Sequence, residues 1–337
     1  MRAAVHHPSC SKDSGFALLV VIWVVGLLSL IASTLITTSH YRLKATSNAI
    51  ESAKAARLAE AGIGLAELAL AGQLSGSPLE SSQGASFGLV AGSREPVLCM
   101  LPTGASAAIL AEDEGGKLDL NLAQPELIAA LLRGLGASEQ EAPQLAASIA
   151  RFARVSINKG HDEAEDQAYA ADGRTFGPKR APFDTPLELD QVVGMRRALL
   201  EALLPYVTVF SHHPGIDPRL AAPALLAALA GRPSRTVQAL AQPPATRAQL
   251  AQQIGEIAAE PIPADLVAPS SRTSFLINVE VMTPGAGYFA REAIVEWQGA
   301  SARLATREWR RGRGRFRQIL AAQIDHQRRA LPRWPRC

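Results

Sequence analysis

The sequence predicts an α+β fold in which a long N-terminal transmembrane helix precedes an antiparallel sheet, and a large α-helical insertion interrupts that sheet. Three observations support this prediction. An uncharged apolar run of 21 residues extends from Phe16 to Ile36. Short extended segments separated by turn residues occur before residue 117 and again after Pro263. The chain between them has helical periodicity.

These patterns divide the 337 residues into six segments. They are a leader (1–15), a long helix (16–71, with 16–36 in the membrane), the first part of the sheet (72–116), the helical insertion (117–265), the second part of the sheet (266–310) and an arginine-rich tail (311–337). Ala and Leu supply much of the apolar content and aromatic residues make up 5%, which favours helices with small side chains in the core. The net charge of +3 says little about partners.

The apolar run is long enough to cross a bilayer, because 21 helical residues extend about 30 Å. Arg2 and Lys12 precede it, and such cations mark the cytoplasmic side, so the chain after Arg42 would lie across the membrane. A cleaved secretory signal would have an apolar core of about 7–15 residues and a small-residue cleavage site, and neither is present here. A plain membrane anchor is the other interpretation.

An apolar stripe continues beyond the membrane run to Leu70, with no proline before Pro78. We therefore expect one helix from Phe16 to about residue 71, with two separate helices as the alternative. Gly62 and Gly64 would allow close packing or a bend.

Strands are predicted over 86–91, 96–101, 107–111, 275–281, 288–298 and 301–309. Helices are predicted over 125–135, 139–154, 186–192, 196–204, 223–230 and 247–258. Several of these helices have proline in the first turn, where its missing N–H is tolerated.

Two segments of the insertion resemble each other. Residues 119–131 and 217–229 share Asp, Leu, Ala, Pro, Leu, Ala, Ala and Leu at constant offset, which indicates an internal duplication. A chance match between two Ala/Leu-rich helices is the alternative.

Between these segments, two short helices flank Gly194 and resemble a helix-hairpin-helix. Such hairpins often bind DNA phosphates through backbone N–H groups and cations. The cations beside this turn are Arg196 and Arg197, and packing is the commoner use of such a unit in an anchored protein.

Three cysteines are present, and Cys10 would be lost with the leader. Cys99 and Cys337 would share an oxidising compartment, where a disulfide can form. We expect two unpaired thiols, because sequence alone does not bring the two residues together. The tail is expected to be solvated or partly disordered; contact with anionic lipid or with nucleic acid is the alternative.

The seven histidines show no zinc-ligand spacing, and the chain has no nucleophile elbow or phosphate loop. His212 and His213 beside Ser211 form a weak cluster that we assign to a loop. The sequence therefore predicts a protein that is not an enzyme.

The junction at Gly15-Phe16 resembles the cleavage site of type IV prepilins and pseudopilins, because a basic leader ends at Gly15 and the apolar run starts at once. The resemblance implies cleavage between Gly15 and Phe16 by the prepilin peptidase and methylation of the new Phe amine. Most relatives carry Glu at the fifth residue after the cut, where this chain has Val20. In that family the acid pairs with the amine of the adjacent subunit, so Val20 implies a subunit at the tip of a fibre.

Taken with the turn at 113–121, the hairpin at 182–209 and the repeat after Asp217, this junction resembles the type II secretion minor pseudopilin K family. The resemblance covers most of the chain from Gly15 to about residue 299. It implies a pilin-like sheet with a helical insertion, in a protein held in the bacterial inner membrane with its head in the periplasm. It also implies a non-enzymatic tip subunit that supports fibre initiation and export of folded proteins across the outer membrane.

The partners implied are minor pseudopilins I and J, the prepilin peptidase, the inner-membrane assembly platform, secreted exoproteins and membrane lipid, with nucleic acid disfavoured. The alternatives are a minor pilin of another type IV system and an anchored helix-hairpin-helix DNA receptor.

The family also implies a calcium site in the insertion. The matching acidic residues here are Asp162, Glu163, Glu165, Asp166 and Asp172. Calcium takes about six to eight oxygen ligands. A solvated acidic loop is the alternative, because Phe152–Ser156 lacks the acidic cluster usual after the preceding helix.

Overall fold

The structure is a computed structural model that describes residues 14–75, 88–154, 163–241, 267, 269–301, 303–328 and 335–337. The α-helices are α1 (Ser14–Ser75), α2 (Pro125–Gly134), α3 (Glu141–Ala153), α4 (Glu163–Ala171), α5 (Arg197–Leu203), α6 (Pro223–Leu229), α7 (Ser234–Ala241) and α8 (Arg317–Arg328). The strands are β1 (Val97–Met100), β2 (Ser106–Asp113), β3 (Leu118–Asp119), β4 (Val207–Thr208), β5 (Ser274–Met282), β6 (Tyr288–Gln298) and β7 (Arg303–Arg311).

Helix α1 is a single helix of 62 residues, which confirms the prediction of one continuous helix. Its described side chains are exposed from Phe16 to Ile50. From Ala55 onward, buried residues recur at intervals of three or four and pack on the sheet. At Gly62 the helix backbone comes so close to the sheet that an added Cβ would lie 2.7 Å from Val279 Cγ1.

The larger sheet has the strand order β1-β2-β5-β6-β7, and every pair is antiparallel. We call its α1-covered face, which carries Phe275, Ile277 and Val279, the front, and the other face the back. The structure thus confirms the predicted α+β class.

The strand predicted over 86–91 is wrong for its described part, because residues 88–91 form a loop. This loop is held to α1 by Gln73, whose Nε2 donates to Leu89 O at 2.6 Å.

Strands β2 and β5 are neighbours, although the whole helical insertion separates them in sequence. Their register runs from Ser106↔Met282 to Asp113↔Phe275. The insertion therefore begins and ends at one end of the sheet, where β2 finishes and β5 starts.

That end is the one farther from the exposed part of α1. At the near end, Thr283 Oγ1 after β5 donates to Glu51 Oε2 on α1 at 2.6 Å. At the far end, Thr306 Oγ1 on β7 donates to Glu67 Oε1 on α1 at 2.9 Å. The helical insertion is thus attached opposite the point where α1 leaves the head.

The insertion has its own apolar core, built from α2, α3, α5 and α6 with the short parallel pair β3–β4. The segment predicted as a helix over 186–192 is a 3-10 helix (Pro186–Gln191) that starts at Thr185, whose hydroxyl accepts from Leu187 N. Helices α4 and α7 were not predicted, and the helix predicted over 247–258 lies outside the described residues.

The interpretation of the tail as a solvated or disordered segment is wrong for its described residues. Helix α8 packs on the back of the sheet, where Leu320 and Ile324 are buried against Ala108 and Met282. The expectation of two unpaired thiols is also wrong, because Cys99 and Cys337 form a disulfide with their Cα atoms 5.0 Å apart. The tail returns to β1, and this brings together cysteines that are distant in sequence.

Gly62 and Gly64 offer a matched test of the contact between α1 and the sheet. Gly64→Ala adds a methyl group in open space, so it should stabilise the protein by up to about 1 kcal/mol through helix propensity. Gly62→Ala should instead destabilise it by about 1–3 kcal/mol, because the methyl group overlaps Val279. Urea unfolding of both variants in detergent micelles measures the difference, and equal stabilities would contradict the close approach.

Candidate functional site

The exposed part of α1 is the first candidate site. By length and composition, α1 is able to span a membrane. Gly15 and Phe16 lie in its first turn, and the Phe16 side chain is 75% exposed. Val20 lies one turn further and is also exposed. The leader residues 1–13 lie outside the described residues, so cleavage at Gly15 and the tip role of Val20 stay predictions.

A pocket of about 850 Å³ lies where α1 leaves the head, between the helix and the turn after β5. Apolar groups of Ile50, Ala53 and Leu58 line one side, and Pro284 lies opposite. Hydrogen bonds from Lys54 and Thr283 lower the pKa of Glu51 at this point. The pocket lies beside the exposed Ile50, and the largely polar segment 37–49 separates it from the apolar run 16–36.

The two aspartates of the sequence repeat make the same contacts, which supports the internal duplication. Asp119 Oδ1 accepts from Asn121 N at 2.9 Å, and Asp217 Oδ1 accepts from Arg219 N at 3.1 Å. Each carbonyl then accepts from the residues three and four positions on, and a proline starts each following helix. Each unit also closes with a parallel bridge, Leu118↔Val207 in the first and Ile216↔Val267 in the second.

The residue two positions after each aspartate sets a different charge environment. Arg219 donates from Nε and Nη2 to Asp217 at 3.0 and 2.7 Å, and this lowers the pKa of Asp217 to about 2. In the first unit the corresponding residue is Asn121, which pairs with the backbone of Phe183 instead. Burial therefore raises the pKa of Asp119. Sequence reasoning did not identify this difference, although Asn and Arg at equivalent positions signal it.

The hairpin at 185–204 does not present free cations to a ligand. Arg196 pairs with Glu141 of α3 through Nε and Nη2 at 3.0 and 3.1 Å, and Arg197 Nε pairs with Glu201 at 2.9 Å. Leu189, Leu199 and neighbouring apolar residues are buried in the core of the insertion. The structure therefore uses the hairpin for packing, as expected from the sequence.

The acidic residues predicted to bind calcium do not converge. Asp166 Oδ1 lies 2.8 Å from Arg180 Nη2, and Asp172 Oδ2 lies 2.8 Å from Arg174 Nε. Glu165 faces Arg151, with 3.8 Å between their charged atoms. Within the described part of the chain, no group of three or more His, Cys, Asp or Glu is placed to hold a metal.

These carboxylates, each opposite an arginine, do not fit a calcium centre. Glu163 is exposed at the start of α4. Asp162 lies outside the described residues, so its part in the calcium prediction is not tested.

The weak cluster around Ser211 has structural contacts. Ser211 Oγ donates to Asp119 Oδ2 at 3.3 Å, and the exposed His212 Nε2 lies 3.2 Å from Glu296 Oε1. Because the hydroxyl is used to hold Asp119, this geometry does not support a nucleophile with an adjacent base.

Residues 109–212 match the family "Type II secretion system (T2SS), protein K". The matched segment starts in β2, covers the first unit of the insertion with its hairpin, and ends after β4. The match confirms, over these residues, the resemblance to the pseudopilin K family.

Among solved structures, a chain of the GspK-GspI-GspJ complex from the enterotoxigenic Escherichia coli type 2 secretion system is similar to this chain. The similarity covers 81% of this chain and 99% of that chain, with 19% identity and a TM-score of 0.49. No curated protein matches the sequence.

The paired aspartates of the insertion give a pH test. Asp217→Asn should destabilise the protein by about 1.5–3 kcal/mol at neutral pH, because charge-assisted bonds to Arg219 are lost. The pKa of Asp217 is lower in the folded protein than the ordinary 3.8, so its stabilisation is present above pH 3.8 and is lost as the pH falls towards 2. The difference between wild type and variant in urea unfolding should shrink over that interval.

Asp119→Asn is the control for this test. The folded-state pKa of Asp119 is raised, so the wild type loses stability relative to this variant as the pH rises above 3.8. The same trend with pH for both variants would contradict the assignment of Arg219 as the cause.

Proposed function

We propose that this protein is the minor pseudopilin K of a bacterial type II secretion system, acting without catalysis at the tip of the pseudopilus. The observation that carries the proposal is the placement of a protein K domain at one end of the head and an exposed apolar helix at the other. The helix would hold the protein in the inner membrane, and the head would lie in the periplasm.

The described part of the stem supports anchoring. Every described side chain between Phe16 and Ile50 is exposed, and the 21 residues from Phe16 to Ile36 carry no charge. Exposing so much apolar surface to water is unfavourable, whereas a helix in lipid satisfies its own backbone hydrogen bonds. The prepilin peptidase would cut before Phe16, and the remaining helix would stay in the membrane.

The position of the insertion supports a tip location. It is attached at the end of the sheet opposite the stem, so it occupies the space in which the next subunit of a growing fibre would stand. Val20 removes the acid with which a pseudopilin holds its neighbour. Together these two features favour a subunit with others below it and none above it.

The partners proposed are minor pseudopilins I and J, by analogy with the similar chain, which comes from a complex of GspK with GspI and GspJ. The apolar pocket between α1 and Pro284 is a place where a neighbouring stem could pack. The complex would act with the inner-membrane assembly platform to start the fibre and export folded exoproteins. The pairing of Arg196 and Arg197 with glutamates does not favour the DNA-receptor alternative.

Processing at the predicted site is testable by mass spectrometry of the membrane-extracted protein. We expect an N-terminal methylated Phe16, with the leader absent. Gly15→Val should block cleavage, whereas Gly26→Val, in the same apolar run, should leave it unchanged because nothing lies within 4 Å of its Cβ position. An intact Met1, or an N-terminus beyond Ile36, in the wild type would overturn the anchoring model.

The tip assignment predicts which subunits co-purify. Tagged wild-type protein, cross-linked and extracted in detergent, should carry pseudopilins I and J below it and no subunit above it. Val20→Glu should add a further subunit, since the acid can pair with a neighbour's amine, while the control Val21→Glu should not. Failure to recover I and J with the wild type would contradict the proposed partners.

A further inference from the structure

The chain after β7 crosses the back of the sheet from one edge to the other. It leaves β7 at Gly312, runs as α8 over β5 and β2, and ends beside β1 at the opposite edge. We call the described residues 312–328 and 335–337 the strap. Strand β5 is buried along its whole length. Helix α1 covers its front, and the strap covers its back at Glu280 and Met282.

Beneath the strap, three neighbouring strands each present a glutamate on the back face. Glu112 lies on β2, Glu280 on β5 and Glu292 on β6, and Glu280 is 0% exposed. Buried carboxylates are costly unless they are paired. This face of the sheet therefore requires a cationic or hydrogen-bonding cover.

The strap and the end of β7 supply that cover. Arg315 donates to both oxygens of Glu112 at 2.8 and 3.2 Å, and Arg310 Nε donates to Glu292 Oε2 at 2.9 Å. The backbone N–H of Phe316 donates to Glu280 Oε2 at 3.0 Å. The Arg315 charge holds the pKa of Glu112 below its usual range against the effect of burial. Arg315 of the strap and Arg310 of β7 are thus the counter-charges of Glu112 and Glu292.

The far end of the strap is fastened to β1. Pro335 O accepts from Met100 N at 2.7 Å, and Cys337 N donates to Met100 O at 3.0 Å. The disulfide from Cys337 to the fully buried Cys99 then closes this contact covalently. These two bonds pair the strap with the outer edge of β1 at Met100, so the sheet edge is closed at this residue.

We propose that this disulfide is a redox-controlled fastening: when it is oxidised the strap is closed, and when it is reduced the strap releases β1 and the back of the sheet. In the reduction, a dithiol gives two electrons and two protons to the Cys99–Cys337 bond, which becomes two thiols while the dithiol becomes a disulfide. Helix α8 has 12 residues, too few to be stable in water by itself, and it buries Leu320 and Ile324. Without the fastening, water competes for the carboxylates beneath it.

This inference does not depend on the proposed function. It concerns the fold of the head in either redox state, so its test is independent of pseudopilin partners. The Cys99–Cys337 disulfide forms in an oxidising compartment, since reducing compartments keep thiols reduced.

Hydrogen–deuterium exchange of the full chain in detergent micelles tests the proposal, with and without dithiothreitol. On reduction, amides of β1 and α8 should exchange at least tenfold faster, and those of α2 and α3 should keep their rates. Unchanged exchange at α8 after full reduction, confirmed by thiol titration, would overturn the proposal. A uniform increase across the head would also overturn it, because that indicates general destabilisation.

Two variants distinguish the contribution of the disulfide at β1 from that of the ion pair between Arg315 and Glu112. Cys337→Ser should reproduce the reduced pattern without dithiothreitol, and the reduced wild type remains the reference if this variant does not fold. In the oxidised state, Glu112→Gln should raise exchange in α8 several-fold while β1 stays protected by the disulfide. Its control is Glu201→Gln, which removes the exposed pair with Arg197 in the insertion and should leave α8 unchanged. Equal effects of both substitutions on α8 would contradict the role of Glu112.

Discussion

The packing of the second half of α1 against the front of the sheet is the contact on which the rest of the structure depends. It combines the small residues Ala59, Gly62 and Ala66 with the fully buried Ile63 and Leu70, and Gly62 lies against Val279. Small side chains let a helix approach a sheet closely, and close approach increases dispersion contacts. The same helix leaves large apolar side chains uncovered in its first half. One helix therefore has a buried half and an exposed apolar half, and its internal hydrogen bonds satisfy the backbone in both.

The strand order then determines where the insertion stands. Because β2 and β5 are antiparallel neighbours, whatever joins them must leave and re-enter at the same end of the sheet. Strand β2 begins at the end nearest the stem, so it finishes at the far end, as the Thr283–Glu51 and Thr306–Glu67 bonds show. A helical insertion between β2 and β5 is therefore attached at the far end of the sheet. The connectivity of the sheet therefore places the insertion opposite the stem, and this placement is one of the two features that support the proposed tip location.

Local sequence patterns were sufficient to predict the helices and strands whose formation depends on periodicity and on residues in the first turn. The uninterrupted apolar stripe predicted α1, alternation predicted β5, and proline in the first turn predicted α2 and α6. The repeat at 119–131 and 217–229 predicted an internal duplication, and the matching turns at Asp119 and Asp217 support it. The strand prediction failed over the described residues 88–91, because Gly88 and the following Gly92 adopt positive φ, which suits a loop. The acidic residues of α4 suggested a ligand set, but their arginine partners are far enough away in sequence that no local pattern shows them.

The back of the sheet shows most clearly what such patterns leave undetermined. A period of two shows that Asn278 and Glu280 share one face of β5, but it does not show what covers that face. Both are fully buried, because the cover comes from a segment about 40 residues further along the chain. The sequence predicted that this arginine-rich segment is solvated. The carboxylates that its arginines neutralise are distant in sequence and come close only in the folded sheet.

The cysteines follow the same logic. Cys99 and Cys337 are separated by 238 residues, and they meet because the strap must cross the whole sheet to reach β1. A bond that closes so long a loop restricts the unfolded chain strongly, by about 5 kcal/mol in the chain-entropy account. Such a constraint matters in this head, where alanine makes up much of the core and each buried alanine contributes little apolar area. Charge pairing at the back of the sheet, and the disulfide at its β1 edge, where Cys99 faces the front, therefore complement the close packing of α1.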